Sequence, residues 1–441
     1  MKDIRVSVIT LGCPKNEVDS DTIKWHLIES GYELTEELGD VDIFVINTCG
    51  FIDQAKAESL DQIWEIVRLK REDKARRLVV AGCLAQRYPD QLWRQIPEID
   101  AILGIAEIKN IGRLCDQIRK NKRIGLVSPP KKEQDHEEVK RVIPDRPFAY
   151  LRIADGCNNR CSYCSIPMIR GPYRSRSIES LVSETEFMTG KGIKEINLIA
   201  QDTTLYGLDI YRKPQVASLL SSLSGIHGIE WIRLLYTHPA HYSDELIEII
   251  ASNPKICKYL DMPLQHISDR LLSFMNRKVT KKQIMRLIEK LRKQIRHLTL
   301  RTTFLVGFPG ETESDFNELL DFVEEMRFDR VGIFPYSREE DTKAYHLRPQ
   351  IPSKKKQDRW DRLLLLQHKI SLEKNKCKVG ENLTVLIEGK SEENGYFGRS
   401  QAEAPEVDGL IYIKGDKIKI GDFVEVKITE ALDCDLIGEK V

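Results

Sequence analysis

The sequence lacks long apolar runs. No stretch of about 18 consecutive apolar residues occurs, and the apolar run near the amino terminus is short and has Asp3 and Arg5 beside it. We therefore expect neither a membrane-spanning helix nor a secretory signal.

An excess of charge of one sign is also missing. Lys plus Arg and Asp plus Glu both number 68, so overall charge indicates neither a nucleic-acid partner nor a membrane partner. Any electrostatic recognition must be local. The chain has 10 cysteines and no export signal, which indicates a reducing compartment where thiols serve metal or redox chemistry. We expect a cytoplasmic protein.

A nucleotide-triphosphate loop is absent as well. The glycine-rich segment GFPGET at 307–312 is not followed by Gly-Lys-Ser/Thr, so hydrolysis of a nucleoside triphosphate is disfavoured.

Three cysteines do lie close together, with the spacing CxxxCxYC. Cys157, Cys161 and Cys164 follow a predicted strand, and no Cys or His nearby in sequence adds a fourth ligand. A structural zinc site uses four protein ligands, whereas three thiolates can hold a 4Fe-4S cluster and leave one iron open. A zinc loop or a chance group of buried thiols is the alternative.

The CxxxCxYC segment, with aromatic Tyr163 before the third cysteine, resembles the radical S-adenosylmethionine superfamily. The resemblance implies that the open iron of the cluster binds S-adenosylmethionine. It also implies a (β/α)6 partial TIM barrel.

Three further cysteines each follow a predicted strand near the amino terminus. The strands at 4–11, 41–47 and 77–81 alternate with helical patterns, which predicts a parallel sheet. The carboxyl ends of parallel strands meet at one edge, so Cys13, Cys49 and Cys83 are expected to converge there. This fits a second cluster; the alternative is that each is a small apolar residue at a strand end.

The segments LGCPKNEVDSD and INTCGFIDQAKAES resemble the amino-terminal domain of the methylthiotransferases. This resemblance implies an auxiliary 4Fe-4S cluster on the same three cysteines, so that the chain would carry two clusters. Four polar residues of these segments are interpreted as supports of the cluster loops by caps and turns: Asn16, Asp19, Asn47 and Thr48.

The middle of the chain repeats strands and helices. Six predicted strands indicate the partial barrel, at 150–154, 195–201, 231–236, 259–264, 300–307 and 330–336. Catalytic groups of such barrels lie on loops after the strands. The residues expected to bind the cofactor are Tyr163, Gln201, Asp202, Gly307 and Gly310. For the two glycines, shaping of a turn is an equally strong alternative.

Histidines and arginines of these loops have less specific interpretations. His238 and His266 are interpreted as satisfied loop or core histidines, because no second histidine or carboxylate is seen at ligand spacing. The arginines of IRGPYRSRS either bind the carboxylate of S-adenosylmethionine or of an acidic substrate, or form a solvated loop: Arg170, Arg174 and Arg176. The remaining thiols are interpreted as small buried or surface residues: Cys115, Cys257, Cys377 and Cys434.

The carboxyl-terminal region predicts a basic amphipathic helix and then a small five-stranded β-barrel, which resembles a TRAM domain. TRAM domains are best known for holding RNA. However, residues 377–441 contain seven Lys and one Arg against nine Glu and five Asp, a net charge of −6. Phosphate-binding surfaces are basic, so this module favours a basic protein partner. Tyr396 and Phe397 are interpreted as packing residues rather than RNA-stacking residues.

The predicted domains are an auxiliary-cluster domain at 1–120, a linker at 121–148, the barrel at 149–352, a connecting helix at 353–376 and the TRAM module at 377–441.

The signatures GCPKN, TCGFI, IPMIRGPYRSR and AQDTTLYG resemble the protein-modifying branch of the methylthiotransferases, whereas the tRNA branch typically has GCQMN. This implies addition of a methylthio group to the β-carbon of an aspartate in a small-subunit ribosomal protein, with an electron donor such as flavodoxin or ferredoxin. Methylthiolation of a tRNA adenosine is the alternative enzyme function. A non-catalytic iron-sulfur or RNA-binding scaffold is the alternative of another class.

Overall fold

The computed structural model describes residues 4–130, 140–391, 395–415 and 417–441, and they divide into two compact units. Residues 131–139 of the predicted linker lie outside the described residues, and the predicted domain boundaries stay a prediction. The first unit comprises Met1–Pro144, Ala154–Arg176 and Ser337–Thr342. The second unit comprises Asp145–Ile153, Ser177–Tyr336 and Lys343–Val441.

Within residues 4–130, the first unit contains a six-stranded parallel sheet with the order β2-β1-β3-β4-β5-β6. Its strands are Arg5–Thr10 (β1), Glu33–Leu34 (β2), Ile43–Thr48 (β3), Arg77–Gly82 (β4), Ala101–Leu103 (β5) and Ile124–Leu126 (β6). Its helices are Pro14–Glu29 (α1), Asp53–Glu72 (α2), Cys83–Arg87 (α3), Pro89–Gln95 (α4) and Ile111–Arg119 (α5), with 3₁₀ turns at Leu38–Asp40 and Ile105–Asn110.

The strands β3 and β4 are apolar on both faces because helices cover both sides of the sheet. Val45 packs into the core on one side and Phe44 into the core on the other, and both are fully buried. A parallel strand buried on both faces reads as a nearly continuous apolar run, which is why the sequence predicted these two strands. Full burial of each such side chain contributes about 1.5–3 kcal/mol.

The chain then contributes Asp145–Ile153 to the second unit before Ala154–Arg176 again belongs to the first unit. Phe148–Arg152 forms β7, which belongs to the sheet of the second unit. The next segment, in the first unit, contains the antiparallel strands Ala154–Asp155 (β8) and Arg174–Ser175 (β9), with the helix Ile166–Arg170 (α6) between them. The CxxxCxYC residues lie between β8 and α6.

The second unit contains a six-stranded parallel sheet, β14-β13-β12-β11-β10-β7, whose strands follow one another in chain order. Helices lie between most of these strands, which confirms the predicted (β/α)6 arrangement. Its further strands are Glu195–Ile199 (β10), Trp231–Leu234 (β11), Ile256–Asp261 (β12), Thr299–Val306 (β13) and Arg330–Pro335 (β14). Its helices are Ile178–Gly190 (α7), Leu208–Tyr211 (α8), Val216–Ser224 (α9), Asp244–Ser252 (α10), Asp269–Phe274 (α11), Lys281–Gln294 (α12), Glu313–Met326 (α13) and Ser353–Cys377 (α14), with 3₁₀ turns at Thr203–Leu205 and Lys343–His346.

Local signals account for where two of these helices begin. The side chain of Thr280 accepts a hydrogen bond from the backbone of Gln283 at the start of α12, and Thr312 does the same with Asp315 at the start of α13. In both cases the third residue bonds back to the cap, which forms a capping box. Such caps stabilise a helix by about 1 kcal/mol each.

The carboxyl-terminal strands form a closed five-stranded barrel with the order β15-β16-β17-β19-β18, as predicted. Tyr396 packs against its core, and Phe397 covers Gly389. The strands are Asn382–Lys390 (β15), Tyr396–Arg399 (β16), Ile411–Lys414 (β17), Phe423–Ala431 (β18) and Leu436–Lys440 (β19).

A segment of this small barrel, residues 399–408, is bound by the six-stranded sheet of the same unit. Each strand of that sheet contributes one polar side chain to the contact. The contacts are Tyr150 Oη to Glu406 Oε2 (2.8 Å), Glu195 Oε2 to Arg399 Nη2 (2.7 Å), Arg233 Nη1 to Gln401 O (2.7 Å), Tyr259 Oη to Asp408 Oδ2 (2.6 Å), Arg301 Nε to Asp408 Oδ1 (3.6 Å) and Arg330 Nη2 to Glu403 Oε1 (3.6 Å).

No helix within the described residues has the length and apolar character needed to cross a membrane.

Candidate active site

The three amino-terminal cysteines lie at one edge of the first unit's sheet. Cys49 directly follows β3, Cys83 is the first residue of α3 directly after β4, and Cys13 precedes α1 after β1. These strands are adjacent, and the strand order reverses between β1 and β3. The crevice beside such a reversal is where open α/β sheets bind ligands.

A single side chain joins the segments that follow the three strands. Asn16 Nδ2 donates hydrogen bonds to the carbonyls of Leu11 (2.8 Å) and Thr48 (3.0 Å). Its Oδ1 accepts a hydrogen bond from Cys83 Sγ at 3.4 Å. Asn47, in turn, donates to the carbonyl of Asn16 at 2.7 Å. These bonds support the interpretation of Asn16 and Asn47 as loop supports.

Glycine at position 12 allows the backbone to pack closely against one thiol. Gly12 has φ +97°, and a Cβ there would lie 2.8 Å from Cys49 Cβ and 3.1 Å from Cys49 Sγ. A side chain would therefore occupy the volume next to the sulfur. Three soft thiol donors at one edge of the sheet fit an iron-sulfur cluster.

The ionisation of these thiols is set by burial. Burial raises the pKa of Cys49 to about 11 and the pKa of Cys83 to about 12, while the nearby guanidinium of Arg170 lowers both. The buried thiols are therefore protonated near neutral pH. Because metal ligands must be deprotonated, cluster binding would release these protons.

The CxxxCxYC residues form a loop whose base is closed against the β9 segment. The amide of Cys157 donates to the carbonyl of Gly171 at 3.1 Å, and the amide of Tyr173 donates to Asn158 Oδ1 at 3.2 Å. At Gly156, where φ is +77°, a Cβ would lie 2.0 Å from the carbonyl oxygen of Pro172. Glycine is therefore required for the loop to pack this closely.

The sulfurs of this loop remain partly accessible. Cys157, Cys161 and Cys164 are all half-buried, as is Tyr163. The amide of Asn159 donates to Cys157 Sγ at 3.5 Å. Backbone donors to sulfur stabilise thiolate charge, which suits a metal-binding loop.

Both groups of three cysteines belong to the same compact unit. Ser165 Oγ, one residue after Cys164, donates to the carbonyl of Phe51, two residues after Cys49, at 3.4 Å. The sequence predicted each group separately and gave no indication that the two would share a unit.

The interpretation of Arg170 and Arg176 as part of a solvated basic loop is wrong, because both are buried. Arg170 Nη2 donates to Asp19 Oδ2 at 2.7 Å, and its Nη1 lies 3.3 Å from the carboxylate of Asp155. A buried cation needs such partners, and Asp19 lies too far away in sequence for the pairing to be predicted.

Gln201 and Asp202 lie two and three residues after the end of β10 in the second unit, at the carboxyl edge of its sheet. Asp202 is buried; its Oδ1 accepts from the amide of Thr204 at 3.1 Å, and its Oδ2 lies 2.9 Å from His241 Nδ1. The rings of His241 and His238 stack at 4.6 Å.

The expectation that His238 has no second histidine or carboxylate at ligand spacing is therefore wrong. Donor atoms of Asp202, His238 and His241 all lie within 4.8 Å of one another. The signal missed was the second histidine of HPAH, together with an acidic residue after the preceding strand. Burial lowers the pKa of His238 to about 2, and its Nδ1 accepts from the amide of Ala240 at 3.2 Å. His238 is thus a neutral ring with its proton on Nε2.

Gly307 and Gly310, after β13, lie close to other segments of the same unit. Gly307 has φ +73°, and a Cβ there would lie 2.4 Å from Lys356 Cγ. Gly310 has φ +80°, and its amide donates to the carbonyl of Pro349 at 2.9 Å. These contacts favour the turn-shaping alternative for both glycines.

His266, on the loop after β12, is fully buried, but its interpretation as a satisfied histidine is confirmed only in part, because its Nε2 has no hydrogen-bond partner among the described residues. Its Nδ1 accepts from the amide of Ser268 at 3.0 Å, and its Nε2 lies 3.8 Å from Glu311 Oε1. Of the other thiols, Cys115 and Cys257 are buried and Cys377 and Cys434 are exposed, and all four are free.

Three family models match the chain. The Radical SAM superfamily matches residues 151–323, the Uncharacterized protein family UPF0004 matches residues 5–104, and the TRAM domain matches residues 379–441. The first two families imply S-adenosylmethionine and iron-sulfur cofactors.

Among solved structures, the chain resembles a radical S-adenosylmethionine methyltransferase, TsrM, from Kitasatospora setae. The TM-score is 0.58 at 15% identity, over 87% of this chain and 81% of that chain. At this identity the likeness concerns the fold alone.

Curated relatives match over nearly the full length. A ribosomal protein uS12 methylthiotransferase RimO from Pelotomaculum thermopropionicum is 47% identical over 99% of both chains. The protein of the same name from Heliobacterium modesticaldum is 46% identical, over 99% of this chain and 95% of the relative. Together with the matching domain models, these identities show that the chain belongs to the RimO family of radical S-adenosylmethionine methylthiotransferases.

Proposed function

We propose that this enzyme adds a methylthio group to the β-carbon of an aspartate in ribosomal protein uS12. The observation that carries the proposal is the presence of two groups of three cysteines in one compact unit, in a chain whose full-length relatives are named uS12 methylthiotransferases. The reaction requires both a radical source and a sulfur source. Two sets of three thiol ligands can hold two iron-sulfur clusters, one for each of these tasks.

In this proposal each cysteine group holds one 4Fe-4S cluster. When bound, the two clusters supply, respectively, the electron that cleaves S-adenosylmethionine to a hydrogen-abstracting radical and the sulfur that a second S-adenosylmethionine methylates. The radical cluster has the ligands Cys157, Cys161 and Cys164, and the auxiliary cluster has the ligands Cys13, Cys49 and Cys83.

The chain's own residues bind and orient the cofactor. Tyr163 lies between two cysteines of the radical loop, and Gln201 and Asp202 lie after β10, on the edge where barrel enzymes position catalytic groups. We assign these three residues to the binding of S-adenosylmethionine. Gly307 and Gly310 complete the assignment by setting the path of the backbone after β13.

The charge of the carboxyl-terminal barrel supports a protein substrate. Several of its carboxylates are exposed on β18, β19 and the turns beside them: Glu381, Asp422, Glu425, Glu430, Asp433 and Glu439. Exposed lysines lie among them, and it is the net charge of −6 over residues 377–441 that favours a basic ribosomal protein over the phosphates of tRNA. The enzyme then works where ribosomes are assembled, in the cytoplasm, with flavodoxin or ferredoxin as the electron donor.

The test is reconstitution of the full chain without oxygen, followed by reaction with ribosomal small subunits or with bulk tRNA. We expect about eight irons per chain, and mass spectrometry is expected to detect a methylthio group on uS12 and none on tRNA.

Two cysteine variants complete the design. Cys49→Ala is expected to bind about four irons and to form no product, whereas Cys115→Ala, a buried thiol of the same unit outside both groups, keeps both properties. Product on tRNA alone, or full activity of Cys49→Ala, would contradict the proposal.

A further inference from the structure

Arg170 lies where the radical-loop segment meets the sheet edge that carries the other cysteine group. It is the last residue of α6, and its side chain is 1% exposed. Its Nη2 donates to Asp19 Oδ2 at 2.7 Å and to Asn16 Oδ1 at 2.9 Å, both on α1. Its Nη1 lies 3.3 Å from both carboxylate oxygens of Asp155, on β8.

The same guanidinium contacts a thiol of the auxiliary group. Arg170 Nη2 donates to Cys83 Sγ at 3.6 Å. As a thiol, Cys83 donates its own proton to Asn16 Oδ1, 3.4 Å away. Once that proton is lost on metal binding, the sulfur retains Arg170 as a charged donor.

Stability alone does not account for this arrangement. Replacement of a buried ion pair or triad by apolar packing is often neutral or stabilising, because desolvation of the charges offsets their attraction. The guanidinium of Arg170, paired with Asp19 and Asp155, nonetheless contacts Cys83. A cation that donates to a cluster sulfur favours the more negative, reduced state of the cluster.

We propose that Arg170 is a positioning residue that donates a hydrogen bond to the Cys83 thiolate and thereby raises the reduction potential of the auxiliary cluster. The inference rests on the proposed function in one respect, that Cys13, Cys49 and Cys83 hold a cluster. It adds a residue from the radical-loop segment to the surroundings of that cluster. The helix that follows the radical cysteines thus contributes to the electronic properties of the second site.

The first measurement needs no change at Arg170. The full-length chain with Cys157→Ala, Cys161→Ala and Cys164→Ala retains only the auxiliary ligands and is expected to bind about four irons. With nitrogen-15 in its arginine side chains, pulsed electron paramagnetic resonance of the reduced cluster is expected to show a nitrogen-15 coupling. No such coupling in the loaded protein would overturn the proposal.

The second measurement is the midpoint potential of the same cluster, obtained from a redox titration. Arg170→Lys keeps the charge but loses the forked contact, and Arg170→Met loses both. The potential is expected to fall from arginine to lysine to methionine, and the nitrogen-15 coupling is expected to disappear. Unchanged potentials in variants that retain their iron would overturn the proposal.

Arg141 provides the matched control. It is also buried in the first unit and pairs with Asp21 of α1 at 3.1 Å. Arg141→Lys is expected to affect folding to a similar degree but to leave the potential and the coupling unchanged. If the variants at Arg170 lose their iron, the coupling in the chain with native Arg170 decides the question. If the triple alanine chain binds no iron, the second cluster itself is refuted, and this inference with it.

Discussion

At the scale of single residues, the geometry beside Cys49 depends on the absence of a side chain at position 12. Gly12 combines a left-handed backbone with a neighbouring sulfur that leaves no room for a Cβ. A β-carbon at position 12 would be unfavourable for two reasons, which are backbone strain and close contact with the Cys49 side chain.

We predict that Gly12→Ala lowers the free energy of unfolding by about 1–3 kcal/mol and reduces bound iron from about eight to about four per chain. Gly31→Ala is the matched control, because Gly31 has φ +82° but no described atom within 4 Å of a Cβ built there. It is expected to lose about 1–2 kcal/mol from backbone strain and to keep all its iron. Denaturant unfolding and iron analysis measure both quantities. Full iron content in Gly12→Ala would show that close packing of position 12 against Cys49 is not needed for iron binding.

Residue-scale prediction from sequence succeeded where the signal was local. The positions of Cys13, Cys49 and Cys83 after three adjacent strands and the support of these segments by Asn16 were predicted from the sequence, while the role of the six cysteines as cluster ligands stays a prediction. Arg170 was misjudged, because its partners Asp19 and Asp155 become neighbours only through folding. Asp202 was missed as a partner of His238 for the same reason, since it lies after the preceding strand β10, whereas His241 is only three residues away and was overlooked.

At the scale of elements, the segment 399–408 is held by buried charges from the six-stranded sheet. Glu195 on β10 binds both Arg399 and Arg233, and all three side chains are fully buried. Arg399 also pairs with Glu388 of the small barrel. Neighbouring carboxylates keep the pKa of Arg399 above its usual value although burial lowers it, so the residue stays charged.

We predict that Arg399→Met lowers the free energy of unfolding by about 3–5 kcal/mol, because it leaves Glu195 and Glu388 buried with less compensation. The added change Glu195→Gln is expected to recover part of this loss. Lys281→Met removes an ion pair with Glu318 that is largely exposed and is expected to cost less than about 1 kcal/mol. Urea unfolding compares the three variants. Equal losses for Arg399→Met and Lys281→Met would mean that the buried pair contributes no more than a surface pair.

Element-scale prediction depended on length and apolar content. The long apolar strands β3, β4 and β13 were predicted, whereas β2, β5 and β6 have only two or three residues and give no pattern. The contacts of residues 399–408 were not predicted, because their partners come from six strands spread over the second unit.

At the scale of the whole molecule, the net charge of zero does not show that the acidic residues of the small barrel are of two kinds. Some are paired internally and others are exposed. Glu403 and Asp408 of the small barrel face arginines of the sheet and contribute to internal pairing. The exposed carboxylates of β18 and β19 remain for an external partner. Exposed lysines such as Lys427 and Lys440 accompany these carboxylates, so the net charge of −6 overstates the acidic charge available for recognition.

We predict that Glu425→Lys, Glu430→Lys and Glu439→Lys together lower kcat/KM on ribosomal subunits about tenfold at low salt, with a smaller effect at high salt. The control reverses exposed glutamates of the first unit, Glu36→Lys, Glu65→Lys and Glu72→Lys, and is expected to stay near the parent rate. Steady-state rates at two ionic strengths measure the difference. A parental rate for the first triple variant would remove the barrel surface from substrate recognition.

The division of the chain into its two units limits how this enzyme can be taken apart or recombined. Because the CxxxCxYC segment follows the barrel strand β7 but folds with the amino-terminal sheet, the first unit cannot be separated from the second at a single peptide bond. A barrel expressed alone would carry Cys157, Cys161 and Cys164 on a segment that lacks its packing partners. An amino-terminal domain transferred to another protein would lack the helix α6. Lineages that exchange parts of such enzymes must therefore inherit both cysteine groups together.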